Sequence, residues 1–371
     1  MADRNRDPAP LTVVDPGVLE TYLQSLFGAS TQVLSVDRIG GTATGDVKRF
    51  GYGTAFHVAY RSNGRDRAAV FQTVRPGPHG HETMADRAQL LLSNYHTFSS
   101  LPRHVRALDV GEVDTTGALR TLGNATELFI LTEYAEGTGH DRDFFRIRDS
   151  GVLTEEDLRR SDQLCDYLVK IHAVRKDDPG LYARRIRELV GHGECIMGLT
   201  DAYPERHGFI DRDLLEQVEH QVVRWRWRLK ARTSRLCQVH GDFHPWNILF
   251  EDDGQFHILD RSRGEWGEAA DDVSCLTVNY LFFSLQRNGR LDGAFQTLFT
   301  RFWARYLEQT GDRELLSVVA PFFAFRGLVL ASPVWYPDLS DAIRRRIFSF
   351  VRNVLDAGSF EPDRVNDYCE A

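Results

Sequence analysis

Asp242, Asn247 and Asp260 are the residues of this chain whose types and spacing best suit chemistry. They lie in Gln238-Val239-His240-Gly241-Asp242-Phe243-His244-Pro245-Trp246-Asn247-Ile248-Leu249-Phe250, then Glu251-Asp252-Asp253-Gly254, then Phe256-His257-Ile258-Leu259-Asp260. Two short apolar pieces, 248–250 and 256–259, are separated by Asp-Asp-Gly and predict a hairpin. In an antiparallel pair the start of the first strand lies beside the end of the second, so Asn247 and Asp260 converge. Both bring hard oxygen donors, which suit magnesium bound to phosphates and not zinc. Asp242, five residues before Asn247, reaches from the preceding loop towards a hydroxyl. The plain alternative is an Asx-rich surface turn and hairpin. That alternative gives no reason for three oxygen ligands to gather at one hairpin.

The elements that must position these residues divide into two kinds. Asp15 to Phe27 carries Val18, Leu19, Tyr22, Leu23 and Leu26 at helical spacing behind an Asp15 cap and Pro16. Strands are expected at 33–39, 55–60 and 68–74, the last two joined by the turn signal Ser62-Asn63-Gly64. Residues 81–93 return to helical spacing, and 106–113 and 128–134 read as two further strands, the second nearly all apolar and so expected to be buried. Beyond residue 150 the pattern is helical. Thr154-Glu155-Glu156-Asp157 is a capping-box-like start, and Leu214, Val218, Val222, Trp225 and Leu229 form a stripe. Further helices are expected across 276–308 and 313–357. The expected fold is α+β in two lobes: residues 1–134 with an antiparallel sheet, and a larger, mainly helical part at 135–371.

Composition limits the alternatives. A chain of 371 residues is long for one core, so two unequal lobes are the natural division. Hydrophobic residues at 42% and charged residues at 26% support a packed core. The formal charge of -8 argues against nucleic acid as a partner, since neutralising phosphates takes a basic face. Five cysteines without a Cys-x-x-Cys pair argue against a disulfide framework or a zinc module. The polar start Met1 to Pro10 and the lack of an apolar run of about 18 residues make the cytoplasm the expected compartment, with no membrane partner.

The spacing His240-Gly241-Asp242, four residues, Asn247 and later Asp260 resembles the catalytic and metal-binding motifs of the aminoglycoside phosphotransferase and choline kinase superfamily. The resemblance is specific over about residues 238–272 and general in layout elsewhere. It implies the two-lobed protein-kinase-like fold and a kinase that moves the γ-phosphoryl group of ATP or GTP onto a hydroxyl. Asp242 would then orient the hydroxyl and accept its proton, Asn247 and Asp260 would hold Mg2+, and His240 would brace the loop. Gly267-Glu268-Ala269-Ala270-Asp271-Asp272 resembles the family's Gly-Asp-Pro-x-x-Asp, with Asp272 supporting the catalytic loop from a helix start. Glu268 and Ala269 depart from that pattern.

For the nucleotide, the same resemblance implies a covering hairpin at Gly51-Tyr52-Gly53-Thr54, with Phe56 where a third glycine would stand. It implies a strand cation where this chain has Gln72, an uncharged residue, leaving Arg75 or Lys48 to substitute. Glu82 would be the helix glutamate, and the hinge at about 131–136 would offer backbone groups of Glu133, Tyr134 and Ala135 to the purine. The acceptor would be a small hydroxyl compound such as a sugar, amino sugar or aminocyclitol. Glu265, Glu268 and Asp271 could face a cationic acceptor or be ordinary solvated carboxylates. Because of Gln72, a nucleotide-binding module without turnover is the alternative. Arg224-Trp225-Arg226-Trp227-Arg228 is expected to be a packed helix, and His192-Gly193-Glu194-Cys195 a loop, not a metal site.

Overall fold

In a computed structural model, residues 14–39, 53–77, 80–100, 102–261 and 263–370 are described. The chain divides into two compact units between Thr132 and Glu133. In the first, α1 (Pro16–Phe27) starts from Asp15, whose carboxylate accepts from the Gly17 and Val18 amides. It packs on an antiparallel sheet of order β1 (Gln32–Ile39), β2 (Gly53–Ser62) and β3 (Arg65–Val74). Along β2, Thr54, Phe56, Val58, Tyr60 and Ser62 are buried and their neighbours are not, the period of a strand with one covered face. The β2–β3 turn is two residues, Asn63 and Gly64, both at positive φ, as the Asn-Gly signal requires. Leu19 and Leu23 of α1 complete this small core with Val14, Phe56, Val58 and Tyr60.

Three expectations for this unit are corrected. Helix α2 runs Met84–Thr97, because Thr83 and Asp86 form a reciprocal capping box that fixes the start. Glu82 therefore precedes the helix and is not a helix glutamate. The strand expected at 106–113 shortens to β4 (Gly111–Val113), paired with β5 (Leu119–Thr121). The buried strand expected at 128–134 is not formed. Phe129, Ile130 and Leu131 are 87–91% exposed, and among the described residues no strand pairs with the segment. An apolar run specifies burial only where a ladder partner and a covering face exist.

The second unit is helical around one core. Its first elements are β6 (Thr138–Gly139), α3 (Asp141–Ser150), α4 (Glu155–His172), α5 (Pro179–Gly191) and α6 (Ile196–Ala202). The short pair β7 (Arg206–His207) and β8 (Ile210–Asp211) leads into α7 (Arg212–Leu229), followed by β9 (Cys237–Gln238). Then come β10 (Ile248–Phe250), β11 (Phe256–Ile258), β12 (Trp266–Gly267), α8 (Ala269–Asn288), α9 (Gly293–Thr310), α10 (Ala320–Ala331), α11 (Asp341–Asp356) and α12 (Val365–Tyr368). The capping box read at Thr154 is present, with Asp157 returning the bond. On α7, Val218, Val222, Trp225 and Leu229 are buried, and the Trp225 indole donates to the Leu355 carbonyl at 2.8 Å. All five cysteines are unpaired and buried. Among the described residues no helix is long and apolar enough to cross a membrane.

Helices α8 and α10 are buried on nearly every side, so their few polar side chains must find partners inside the protein. At Gly327 a β-carbon would collide with Val351 of α11, so the close approach of α10 and α11 depends on glycine there. We expect Gly327→Val to lower stability by about 1–3 kcal/mol through overpacking. Urea unfolding measures this, and an unchanged midpoint would contradict the packing described.

Candidate active site

The sheet β11–β10–β6 carries the hairpin read from the sequence. Ile248 pairs with Ile258, and the Leu259 amide donates to the Asn247 carbonyl at 2.8 Å, so Asn247 and Asp260 flank the same end of the ladder. The third strand, β6, was not foreseen. Gly137 sits at φ 140° so close to the Phe250 carbonyl that a side chain would collide with it.

Asn247 ends a 3₁₀ turn, Pro245–Asn247, and its Nδ2 donates to the Asp242 carbonyl at 3.1 Å. This leaves Oδ1 as the free end of a nearly buried amide. Asp260 adopts a left-handed backbone, φ 53°, which a short acidic side chain tolerates. It is exposed, and no described residue hydrogen-bonds or ion-pairs with its carboxylate. It lines a cavity of about 190 Å³ with His240, Leu259, Arg261 and Tyr167. Asn247 Oδ1 and the Asp260 carboxylate are both oxygen donors of the kind a hard divalent cation takes, and of the two only Asp260 lines this cavity.

The loop before the hairpin is held from below. Asp272, fully buried in the first turns of α8, accepts from the amides of His240 at 2.8 Å and Gly241 at 2.7 Å. It also accepts from His172 Nε2 of α4 at 3.1 Å, and His172 Nδ1 is 2.7 Å from the Tyr306 hydroxyl of α9. Gly241 has φ 87°, which turns two successive amides onto one carboxylate. His240 spans the loop and the hairpin. Its Nδ1 accepts from the Asp242 amide at 3.2 Å, so Nε2 carries the proton given to the Leu259 carbonyl at 2.9 Å. Arg261 adds a tie, donating to the carbonyls of Val239 and Glu265.

The Asp242 carboxylate meets three groups. Arg326 of α10 donates to Oδ1 at 2.5 Å, His244 Nε2 lies 3.4 Å from Oδ2, and the buried Cys275 thiol lies 3.9 Å from Oδ1. Burial alone would raise its pKa. The hydrogen bond from His244 and the charges of Arg326, His244 and Arg263 outweigh that and hold it far below the usual carboxylate range. Asp242 is therefore ionised at neutral pH and presents a carboxylate that can accept a hydrogen bond from a hydroxyl, although the same depression makes it a weak base.

Of the acidic residues expected to face an acceptor, Glu268 is placed otherwise. Glu268 is buried and takes the Arg235 guanidinium, at 2.7 Å from Nη2, together with the Tyr182 hydroxyl at 2.8 Å. This corrects its assignment to a substrate surface. Asp271 is paired with Arg326 Nη2 at 2.6 Å, and burial raises its pKa despite that pair. Glu265 contributes its backbone carbonyl to the Val239 amide at 3.0 Å.

On the first unit, Gln72 is the ladder partner of Ala55, and its Nε2 lies against Gly53. Arg75 follows the end of β3. Gly51 and Lys48 lie outside the described residues. Glu133 and Tyr134 are exposed and Ala135 is half-buried. Sequence reasoning did not find Arg326. Its signal was a single charged residue in Ala320-Pro321-Phe322-Phe323-Ala324-Phe325-Arg326-Gly327-Leu328, since a cation buried in such a helix needs carboxylate partners.

Over residues 46–308 the chain matches the profile of the phosphotransferase enzyme family. It belongs to that family. The match makes it a phosphotransferase acting on hydroxyl acceptors and agrees with the aminoglycoside phosphotransferase resemblance read from its motifs. Among solved structures, it is similar to an ethanolamine kinase of Plasmodium vivax (12% identity, 90% of this chain and 80% of that one, TM-score 0.34). It is also similar to the choline kinase LicA of Streptococcus pneumoniae (13%, 92% and 98%, 0.33). A third is the aminoglycoside phosphotransferase APH(4)-Ia in a complex with ADP and hygromycin B (14%, 95% and 96%, 0.32). No curated protein matches the chain.

Within this phosphotransferase, Asp272 carries a testable consequence. Burial opposes its ionised form, but the His172 hydrogen bond and charge and the His240 amide lower its pKa overall. A carboxylate depressed in the folded state stabilises the fold above its unfolded pKa, and that stability is lost as pH falls through the folded value. We expect Asp272→Asn to cost about 3 kcal/mol at pH 7. It should also lose less further stability than the parent below about pH 4. Urea unfolding across pH measures both, and acid profiles that run parallel would contradict the role given to Asp272.

Proposed function

We propose that this phosphotransferase transfers the γ-phosphoryl group of ATP or GTP to a hydroxyl of a sugar, amino sugar, aminocyclitol or similar metabolite. The observation that carries the proposal is an ionised, partly buried Asp242 beside an all-oxygen pair, Asn247 and Asp260, at one end of one hairpin. Asn247 Oδ1 and Asp260 would hold Mg2+, which would offset the negative charge of the phosphates. Asp242 Oδ2 accepts the proton of the incoming hydroxyl. The hydroxyl oxygen forms the new bond to phosphorus as the bond to the bridging β–γ oxygen breaks, and the nucleoside diphosphate leaves.

Gly51, Gly53, Gln72 and Arg75 are proposed for the phosphates, and backbone groups of Glu133, Tyr134 and Ala135, in a hinge at 131–136, for the base. Glu82, outside α2, is retained only as a partner for a phosphate-binding cation. Gln72 donates hydrogen bonds without charge, so affinity for the triphosphate leans on the metal. The same residue supports the second reading, a module that holds nucleotide without turning it over.

Thermal shift with MgATP, followed by transfer assays over a panel of hydroxyl compounds, separates the two readings. Transfer by the wild type, lost by at least about 1,000-fold in Asp242→Asn with the MgATP shift retained, is the expected result. Binding without transfer to any acceptor would favour the second reading. Asn247→Ala and Asp260→Asn should each remove the magnesium dependence of the nucleotide shift. A shift that still responds to magnesium in both variants would contradict the metal assignment.

A further inference from the structure

We infer that Arg326 is a positioning residue for phosphoryl transfer: it fixes the Asp242 carboxylate so that Oδ2, and not Oδ1, meets the acceptor hydroxyl. The inference rests on the reading of Asp242 as the group that receives the hydroxyl proton. Arg326 lies in the middle of α10, 84 residues from Asp242 in sequence, and is only 6% exposed. Nη1 donates to Asp242 Oδ1 at 2.5 Å, while Nη2 donates to the Gly241 carbonyl at 2.8 Å and to Asp271 Oδ1 at 2.6 Å. Its guanidinium also sits 4.5 Å from the centre of the Phe325 ring, whose centre lies 4.4 Å from the Arg263 guanidinium.

These contacts are uneven for a buried cation, since Nε has no partner among the described residues while both terminal nitrogens are aimed at the Gly241–Asp242 loop and Asp271. Asp271 alone would supply a counter-charge, since it is anchored on α8 and close to Arg326. The other two contacts go to the backbone and side chain on either side of the Gly241–Asp242 peptide. Gripping the Gly241 carbonyl and the Asp242 carboxylate together fixes the side chain relative to its own backbone. Oδ1 is thereby occupied, and the only described polar neighbour of Oδ2 is His244 at 3.4 Å. A planar fork with several donors is the group that can hold such an arrangement, and an ammonium can reproduce only part of it.

Steady-state kinetics on the full chain test this, using MgATP and the panel compound that the wild type turns over fastest, or water where none is turned over. Arg326→Met should lower kcat about 100-fold, the scale expected for a misplaced reacting group. The KM for MgATP should change by less than about threefold, because nucleotide binding is untouched. Arg326→Lys should recover roughly tenfold of that loss by restoring one directed donor. A kcat that is unchanged or raised in Arg326→Met, or a lysine variant no better than methionine, overturns the inference. Should Arg326→Met fail to fold, Arg326→Lys keeps the buried charge, and wild-type kcat in that variant overturns it equally. Crystal structures supply a readout independent of turnover. In the folded variants the Asp242 side chain should leave its rotamer while His240 and Gly241 remain on Asp272, and an unmoved Asp242 refutes positioning. Transfer retained by Asp242→Asn would remove the underlying reading as well, whereas loss in Asp242→Asn with full activity in Arg326→Met removes only the inference about Arg326.

Discussion

The loop that carries Asp242 stands where it does because one buried carboxylate gathers it. Asp272 has no exposure to solvent, and it is made acceptable there by three donors: the successive amides of His240 and Gly241, and the imidazole of His172. A carboxylate stripped of water and left unpaired would cost several kcal/mol. The structure therefore cannot hold α8 in its core without also drawing the loop onto its first turns. The line of contacts continues through His172 to Tyr306, so α4, α8, α9 and the loop share one polar connection inside an apolar interior. His240 then passes the constraint to the hairpin through the Leu259 carbonyl. Asp242, Asn247 and Asp260 inherit their relative positions from that chain of bonds.

A second buried charge completes the arrangement. Arg326 answers Asp242 and Asp271 from α10, as Arg235 answers Glu268 and Asp312 from the segment before β9. In both cases a guanidinium with carboxylates on two sides ties the region around the start of α8 to the rest of the unit. Acidic residues that read as a solvated face are thus mostly committed to arginines. The carboxylates of Asp242 and Asp271 share one guanidinium, that of Arg326.

Much of the site was legible because it is local. The hairpin and the oxygen pair at its end lie within about fourteen residues, and strand register brings that pair to one end of the ladder, with the loop aspartate a few residues ahead of it. The capping box at Thr154, the Asp15 cap and the Asn63-Gly64 turn were legible for the same reason. Contacts between residues far apart in sequence were not. Arg326, His172 and Tyr306 reach the loop from three helices, and no spacing rule links them to it. The run at 128–134 misled because hydrophobicity announces a wish for burial without saying what will cover it. Glu82 misled because the neighbouring Thr83 and Asp86 compete for the helix start and win it by capping both ends of the same turn.

The account turns on Asn247 and Asp260 forming one cation site that is separate in role from Asp242. Electron paramagnetic resonance of Mn2+ titrated into the protein with ADP tests that directly, since it reads metal binding without turnover. Tight, ADP-dependent Mn2+ binding that is lost in Asp260→Asn and in Asn247→Ala but kept in Asp242→Asn is the predicted result. Binding that survives the first two substitutions, or that depends on Asp242 instead, would contradict it.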